Sequence, residues 1–190
     1  MNRSMLVLAV LGCAGSAMAQ SGRYYLTDES GFNKVWQFQG GNLVSSFNTV
    51  PAGAPDGPII VDGTTNTVRS VKGGFSGGSG VSPGREYNFA GGVVGPVSLN
   101  PSAWSGYGRA IDAAFDGTNT YIVHGLGGNA GVIRYNGDFS GPGTLMFNIT
   151  APGANTAQGI TFDTLTGTIW TSDYDFSVAA GRVRQWNSAG

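Results

Sequence analysis

The side chains able to do chemistry are few, and they are widely spread. His124 is the only histidine in the 190 residues. An imidazole can act as a general base or a metal ligand near neutral pH. A zinc site needs three or four nitrogen or sulfur ligands, and a nucleophilic pair needs a thiol or hydroxyl beside its base. No second histidine is present to assist His124, and Cys13 is the single cysteine. His124 is therefore expected to serve structure, with contact to a bound ligand as its functional alternative.

Three carboxylates invite a metal reading. Asp28 and Asp173 end comparable apolar stretches, and Asp175 follows in Asp173-Tyr174-Asp175. Carboxylate oxygens gathered from separate strand ends suit Ca²⁺, which takes six to eight oxygen ligands. The plainer reading is that each aspartate caps the turn that follows it. No Asp-x-Asp-x-Asp-Gly loop supports a calcium hand. Trp104 and Tyr107 lie in a polar segment and suit contact with a sugar or peptide, or cover for a strand edge. The glycine-rich stretches 73–80 and 125–131 lack the GxxxxGK[ST] pattern and precede no helix, so they read as loops rather than phosphate cradles. Asn148-Ile149-Thr150 fits the glycosylation pattern, though inside an apparent strand.

The elements that must position these groups are strands. Glycine is abundant (33 residues), which disfavours long helices and favours short strands joined by turns. Three segments, 59–71, 114–124 and 160–173, share one pattern. Each runs from an apolar strand through an aspartate-led polar turn into a second β-branched or aromatic strand, which is a β-hairpin pattern. Asp62, Asp116 and Asp163 lead those turns. Because they recur with the repeat, they read as turn formers. A third strand follows each hairpin and carries an aromatic near its end: Phe38, Phe89, Tyr135 and Trp186, spaced 51, 46 and 51 residues apart. Fourth strands are expected at 43–47, 93–99 and 144–149. Four strands repeating at roughly 40–50 residues is the period of a β-propeller blade.

Residues 159–163 (GITFD), 167–173 (GTIWTSD) and 182–187 (RVRQWN) together resemble an NHL-type propeller repeat. Tyr25-Leu26-Thr27-Asp28 with Val35-Trp36-Gln37-Phe38 resembles the second half of that unit. The middle units have Val71-Lys72 and His124-Gly125 where the strand-end aspartate falls. The resemblance implies an all-β, propeller-like array of four-stranded antiparallel blades. Units are expected at 20–50, 57–99, 110–150 and 158–190. The first lacks its opening strand and the last its closing one, so about three and a half blades of an incomplete ring are expected. That pattern suggests the N-terminal part of a longer protein, with a compact four-bladed ring as the alternative. Composition also resembles bacterial exported proteins that end in a sorting anchor.

Processing and charge narrow the setting. A short basic start, the apolar run 5–11 and Ala17-Met18-Ala19 together read as a signal peptide over 1–19. Leu11-Gly12-Cys13 offers lipidation as the alternative. Cleavage after Ala19 leaves no cysteine and hence no disulfide. Lys+Arg number 10 and Asp+Glu 11, which gives no electrostatic footprint for nucleic acid. No apolar run is long enough for a transmembrane helix. The expected function is an exported, non-catalytic binding or surface-display module for a protein or glycan, without a cofactor. The alternative is a lactonase-like propeller hydrolase or lyase, with Ca²⁺ or another divalent ion in its central channel.

Overall fold

A computed structural model describes residues 23–27, 34–49, 56–72, 82–99, 110–126, 129–149, 156–175 and 180–187. The expected signal peptide, Asp28, Trp104, Tyr107 and the loop at 73–80 lie outside them.

The described residues form fourteen strands. β1 (Arg23–Thr27), β2 (Lys34–Gln39) and β3 (Asn42–Asn48) make the first antiparallel sheet. β4 (Asp56–Asp62), β5 (Thr67–Lys72), β6 (Ser82–Asn88) and β7 (Val93–Leu99) make the second. β8 (Ala110–Phe115), β9 (Asn119–Leu126), β10 (Asn129–Asn136) and β11 (Thr144–Asn148) make the third. β12 (Thr156–Asp163), β13 (Thr168–Asp175) and β14 (Ala180–Trp186) make the fourth. Within each sheet, strands pair in chain order. The array is thus four blades of three, four, four and three strands, as the repeat predicts. β4, β8 and β12 pack against one another in sequence, so they are the inner strands of an arc that is not closed.

The turns follow the expected chemistry. Asp62 Oδ1 accepts the backbone N–H of Thr64 at 2.9 Å and the Thr64 hydroxyl at 2.6 Å. Asp116 Oδ1 accepts the N–H groups of Thr118 (2.7 Å) and Asn119 (2.6 Å). Asp163 accepts from Leu165 N–H at 2.9 Å and Thr166 Oγ1 at 2.6 Å. Burial pushes the Asp62 and Asp116 carboxyls up, but these turn hydrogen bonds outweigh it and hold both below the usual value.

Sheet register corrects one position. The last inner-strand residue before each turn aspartate (Val61, Phe115, Phe162) pairs with Val68, Thr120 and Ile169. Those residues pair onward with Tyr87, Tyr135 and Trp186, and in the first blade Tyr24 pairs with Phe38. The recurrent aromatic of the second blade is therefore Tyr87, not Phe89, and the spacings become 49, 48 and 51. Phe89 lies beyond β6 in a turn. There Asn88 Oδ1 accepts the N–H groups of Ala90 and Gly92, and the Phe89 ring packs on Tyr25 with centroids 5.3 Å apart.

The core lies between blades rather than in one centre. Blades 1 and 2 share Tyr25, Val35 and Val68. Blades 2 and 3 share Ile60, Val71, Ile122 and Tyr135, capped by buried Phe139. Blades 3 and 4 share Tyr121, Val123, Val132, Ile160 and Ile169. Ring pairs stitch the outer interfaces: Phe47 on Tyr87 (5.1 Å), Tyr121 on Phe162 (5.4 Å) and Phe147 on Trp186 (4.7 Å).

Candidate functional site

The strand-end position singled out in sequence is one structural position. Lys72, His124 and Asp173 pair with Asp56, Ala110 and Ala157, each just before an irregularity in the inner strand. Three blades thus place Lys72, His124 and Asp173 at one register. At the irregularity in β8, Asp112 accepts the backbone N–H of Ile160 in blade 4.

His124 is fully buried. Its Nε2 lies 3.4 Å from the Tyr135 hydroxyl, and the rings are tilted with centroids 6.3 Å apart. Burial drives the imidazole down to about 3, so it is neutral at physiological pH. Burial also pushes the Tyr135 hydroxyl up. The pair is an uncharged packing element within the interface between blades 2 and 3.

Asp173 is buried on the face of β13 that meets blade 3. Its Oδ2 accepts from Arg184 Nη2 at 3.2 Å, with Arg182 Nε at 3.8 Å. Arg184 also stands 5.9 Å from the Trp186 ring centroid. Oδ1 of Asp173 has no hydrogen-bond partner among the described residues. Two guanidinium groups already face this single carboxylate, so an added cation would meet local repulsion. Asp175 lies two residues along β13, paired with Ala180. The described residues bring no three His, Cys, Asp or Glu side chains together as a metal cluster.

Sequence reasoning missed Asp112. It stands on inner strand β8 at the irregularity between Ala110 and Asp112. Oδ2 accepts the N–H of Ile160 on β12 at 3.0 Å, and Oδ1 accepts the N–H of Ala113 at 2.9 Å. Gly159 sits opposite, where a Cβ would stand 3.4 Å from Oδ2 and 3.0 Å from Ser172 Oγ. Burial raises this carboxyl to about 6, with the two backbone donors pulling the other way. Its matching inner-strand positions are Pro58 and Gly159, so no repeat pattern marks it.

A second group works between blades 2 and 3. The buried Arg69 guanidinium sits 2.9 Å from Glu86 Oε1 and 3.4 Å from Asp62 Oδ2, and its Nη1 donates to the Gly137 carbonyl at 2.9 Å. Tyr25 and Tyr121 hold this position in blades 1 and 3. An ion-paired cation here takes the place of a ring.

No protein-family model matches the chain, and no curated protein matches it in sequence. Solved structures do. The chain is similar to one in a nidogen/laminin complex, with TM-score 0.57 and 14% identity over 87% of this chain and 63% of that one. It is also similar to a Myxococcus xanthus glutaminyl cyclase, with TM-score 0.55 and 13% identity over 87% of this chain and 69% of that one. The chain spans less than two thirds of the first of these. With the blade register, these likenesses establish a β-propeller-like fold.

Proposed function

We propose that this chain is an exported, non-catalytic propeller module that binds a protein or glycan through segments at its blade ends. A relation to NHL-type repeats and attachment to a cell surface belong to the same proposal. One observation carries it: the groups that recur with the repeat are consumed by the scaffold. Asp62, Asp116 and Asp163 are engaged by their own turns, and Tyr87, Tyr135 and Trp186 by packing and hydrogen bonds. Side chains that do not recur, including Trp104 and Tyr107, are left to determine what is bound. The test is retention on a printed panel of glycans and extracellular proteins. Binding lost in Trp104→Ala and Tyr107→Ala with unchanged melting temperature supports the reading. Metal-dependent turnover of a lactone panel would overturn it.

The second reading is a divalent-ion propeller enzyme using Asp28, Asp173 and Asp175. It draws on one feature, the unpartnered Oδ1 of buried Asp173. The two arginines on the same carboxylate weigh against it.

A further inference from the structure

The connection between third and fourth strands differs from blade to blade. It spans two residues in blade 1 (40–41), four in blade 2 (89–92) and seven in blade 3 (137–143). Each blade has a forward face, toward the next blade, and a backward face, toward the one before. In blades 2 and 3 this connection carries a phenylalanine that reaches back to the preceding blade. Phe89 packs on Tyr25 of blade 1 with centroids 5.3 Å apart. Phe139 goes further. It is 1% exposed and lies in the apolar cluster with Ile60, Ile122 and Tyr135 between blades 2 and 3. In the same strap the Gly137 carbonyl accepts from Arg69 Nη1 of blade 2 at 2.9 Å and from Thr120 Oγ1 at 3.3 Å.

Phe139 holds φ at +62°, a left-handed conformation that is strained for a bulky side chain and persists only where the surroundings enforce it. In the matching connections of blades 1 and 2 the left-handed positions are glycines: Gly40, Gly41 and Gly91. Other hydrogen bonds lie within the strap and its base. The Phe139 N–H donates to the Asn136 carbonyl at 2.8 Å, the Ser140 N–H to Asp138 Oδ1 at 2.9 Å, and Asn136 Nδ2 to Ser140 Oγ at 3.1 Å. A carbonyl and a ring thus fasten the strap to blade 2, with Arg69 also attracting the Asp138 carboxylate. Past Ser140 the chain runs through exposed Gly141 (φ +79°) and Pro142 to Gly143, a glycine-bracketed exit that allows a loop to move.

We propose that residues 137–143 form a lid, and that the slot filled by Phe139 is a binding site for an aromatic residue of a partner polypeptide. With the lid displaced, the slot lies among Ile60, Ile122 and Tyr135, and Arg69 regains the donor that Gly137 had taken. Arg69 keeps Asp62 at 3.4 Å and Glu86 at 2.9 Å. Two carboxylates against one guanidinium make a neutral carbonyl a better acceptor there than a third carboxylate. The ligand is therefore a peptide segment whose aromatic side chain and backbone carbonyl are spaced as in Gly137-Asp138-Phe139. The strain at Phe139 favours the exchange of occupants, because a partner's ring enters the slot from a relaxed backbone. This site is separate from Trp104 and Tyr107, and the two readings stand or fall independently.

Amide exchange and a peptide probe on the full chain test this. In wild type the Phe139 amide is expected to exchange through a local opening, about tenfold or more faster than the Ile122 and Ile133 amides of the same cluster. Phe139→Ala empties the slot, with Phe139→Val in its place if that variant does not fold. N-acetylphenylalanine amide is expected to raise the Tm of the variant as its concentration rises, by mass action on the folded state, whereas N-acetylalanine amide is not. The same aromatic probe is expected to speed Phe139 exchange in wild type, by capturing the open lid. A Phe139 amide that exchanges only together with the rest of the cluster overturns the lid, and so does wild-type exchange that the probe leaves unchanged. A variant that the two probes stabilise equally, or not at all, overturns the binding site. None of these readouts depends on Trp104 or Tyr107.

Discussion

Replacing Asp112 by Asn is expected to change the pH dependence of stability more than stability itself. Burial holds the folded-state value at about 6, against 3.8 for an ordinary aspartate carboxyl. A raised folded pKa means that the native state holds the proton more tightly than the unfolded chain. The favourable contribution is complete below 3.8 and is lost as pH rises through 6. The span is roughly 2 pKa units, equivalent to about 3 kcal/mol. That figure is a ceiling, because the residue keeps partial exposure and solvent screens the charge. Asn carries no titrating proton and one acceptor oxygen, so it resembles the protonated acid at every pH. Urea titrations of both proteins at several values between pH 4 and 7 measure the difference. The variant should gain on wild type as pH rises, by up to about 3 kcal/mol in all. A stability difference constant across that range would refute the claim that the inner-strand carboxyl is desolvated. The gap between the curves is the useful quantity, since His124 and the turn aspartates titrate identically in both proteins.

Four further outcomes are expected. His124 is the only histidine, so its imidazole resonances can be followed by NMR without assignment; they should not titrate between pH 8 and 5, and a midpoint near 6.5 would contradict its burial. The same depressed value means that stability falls as pH drops below 6.5 toward 3, by about 1.4 kcal/mol per unit, and His124→Gln should remove that slope in urea melts. Gly91→Ala should lower Tm, at a cost of about 1–3 kcal/mol, because Gly91 has φ +88° and a Cβ there would strike the Phe47 side chain of blade 1; an unchanged Tm would refute this. Calcium should leave Tm unchanged, whereas a rise that vanishes in Asp173→Ala would favour the ion-binding reading.

Much of the architecture is legible in the sequence because it is local. The aspartate-led turns and the alternation of the hairpins are set by residues within four or five positions of one another. Phe89 shows where local pattern fails. Tyr87 and Phe89 have the same parity in Glu86-Tyr87-Asn88-Phe89, so both fit the alternation. Only the Asn88 turn, with its side chain accepting from Ala90 and Gly92, places Phe89 past the end of the strand. Asp112 was not legible at all. What raises its carboxyl is burial at a contact with another blade, whose Ile160 N–H, 48 residues along the chain, it accepts. Asp173 lies between these cases. Its strand-end place follows from the repeat, but its arginine partners emerge only when the register of β13 and β14 brings Arg182 and Arg184 onto its face.

The placement of the core between blades has a consequence for how the molecule comes apart. Among the described residues, the buried clusters are shared between sequential blades, so free energy is distributed like that of a linear array with nearest-neighbour coupling. Blades 2 and 3 have two such couplings, and blades 1 and 4 have one each within the chain. Opening should therefore begin at the ends and travel inward. Amide exchange would be slowest along β5 and β9 and fastest along β3 and β14. The same arithmetic makes blade number cheap to vary, since a duplicated unit of about 50 residues brings a forward and a backward face that already fit its neighbours.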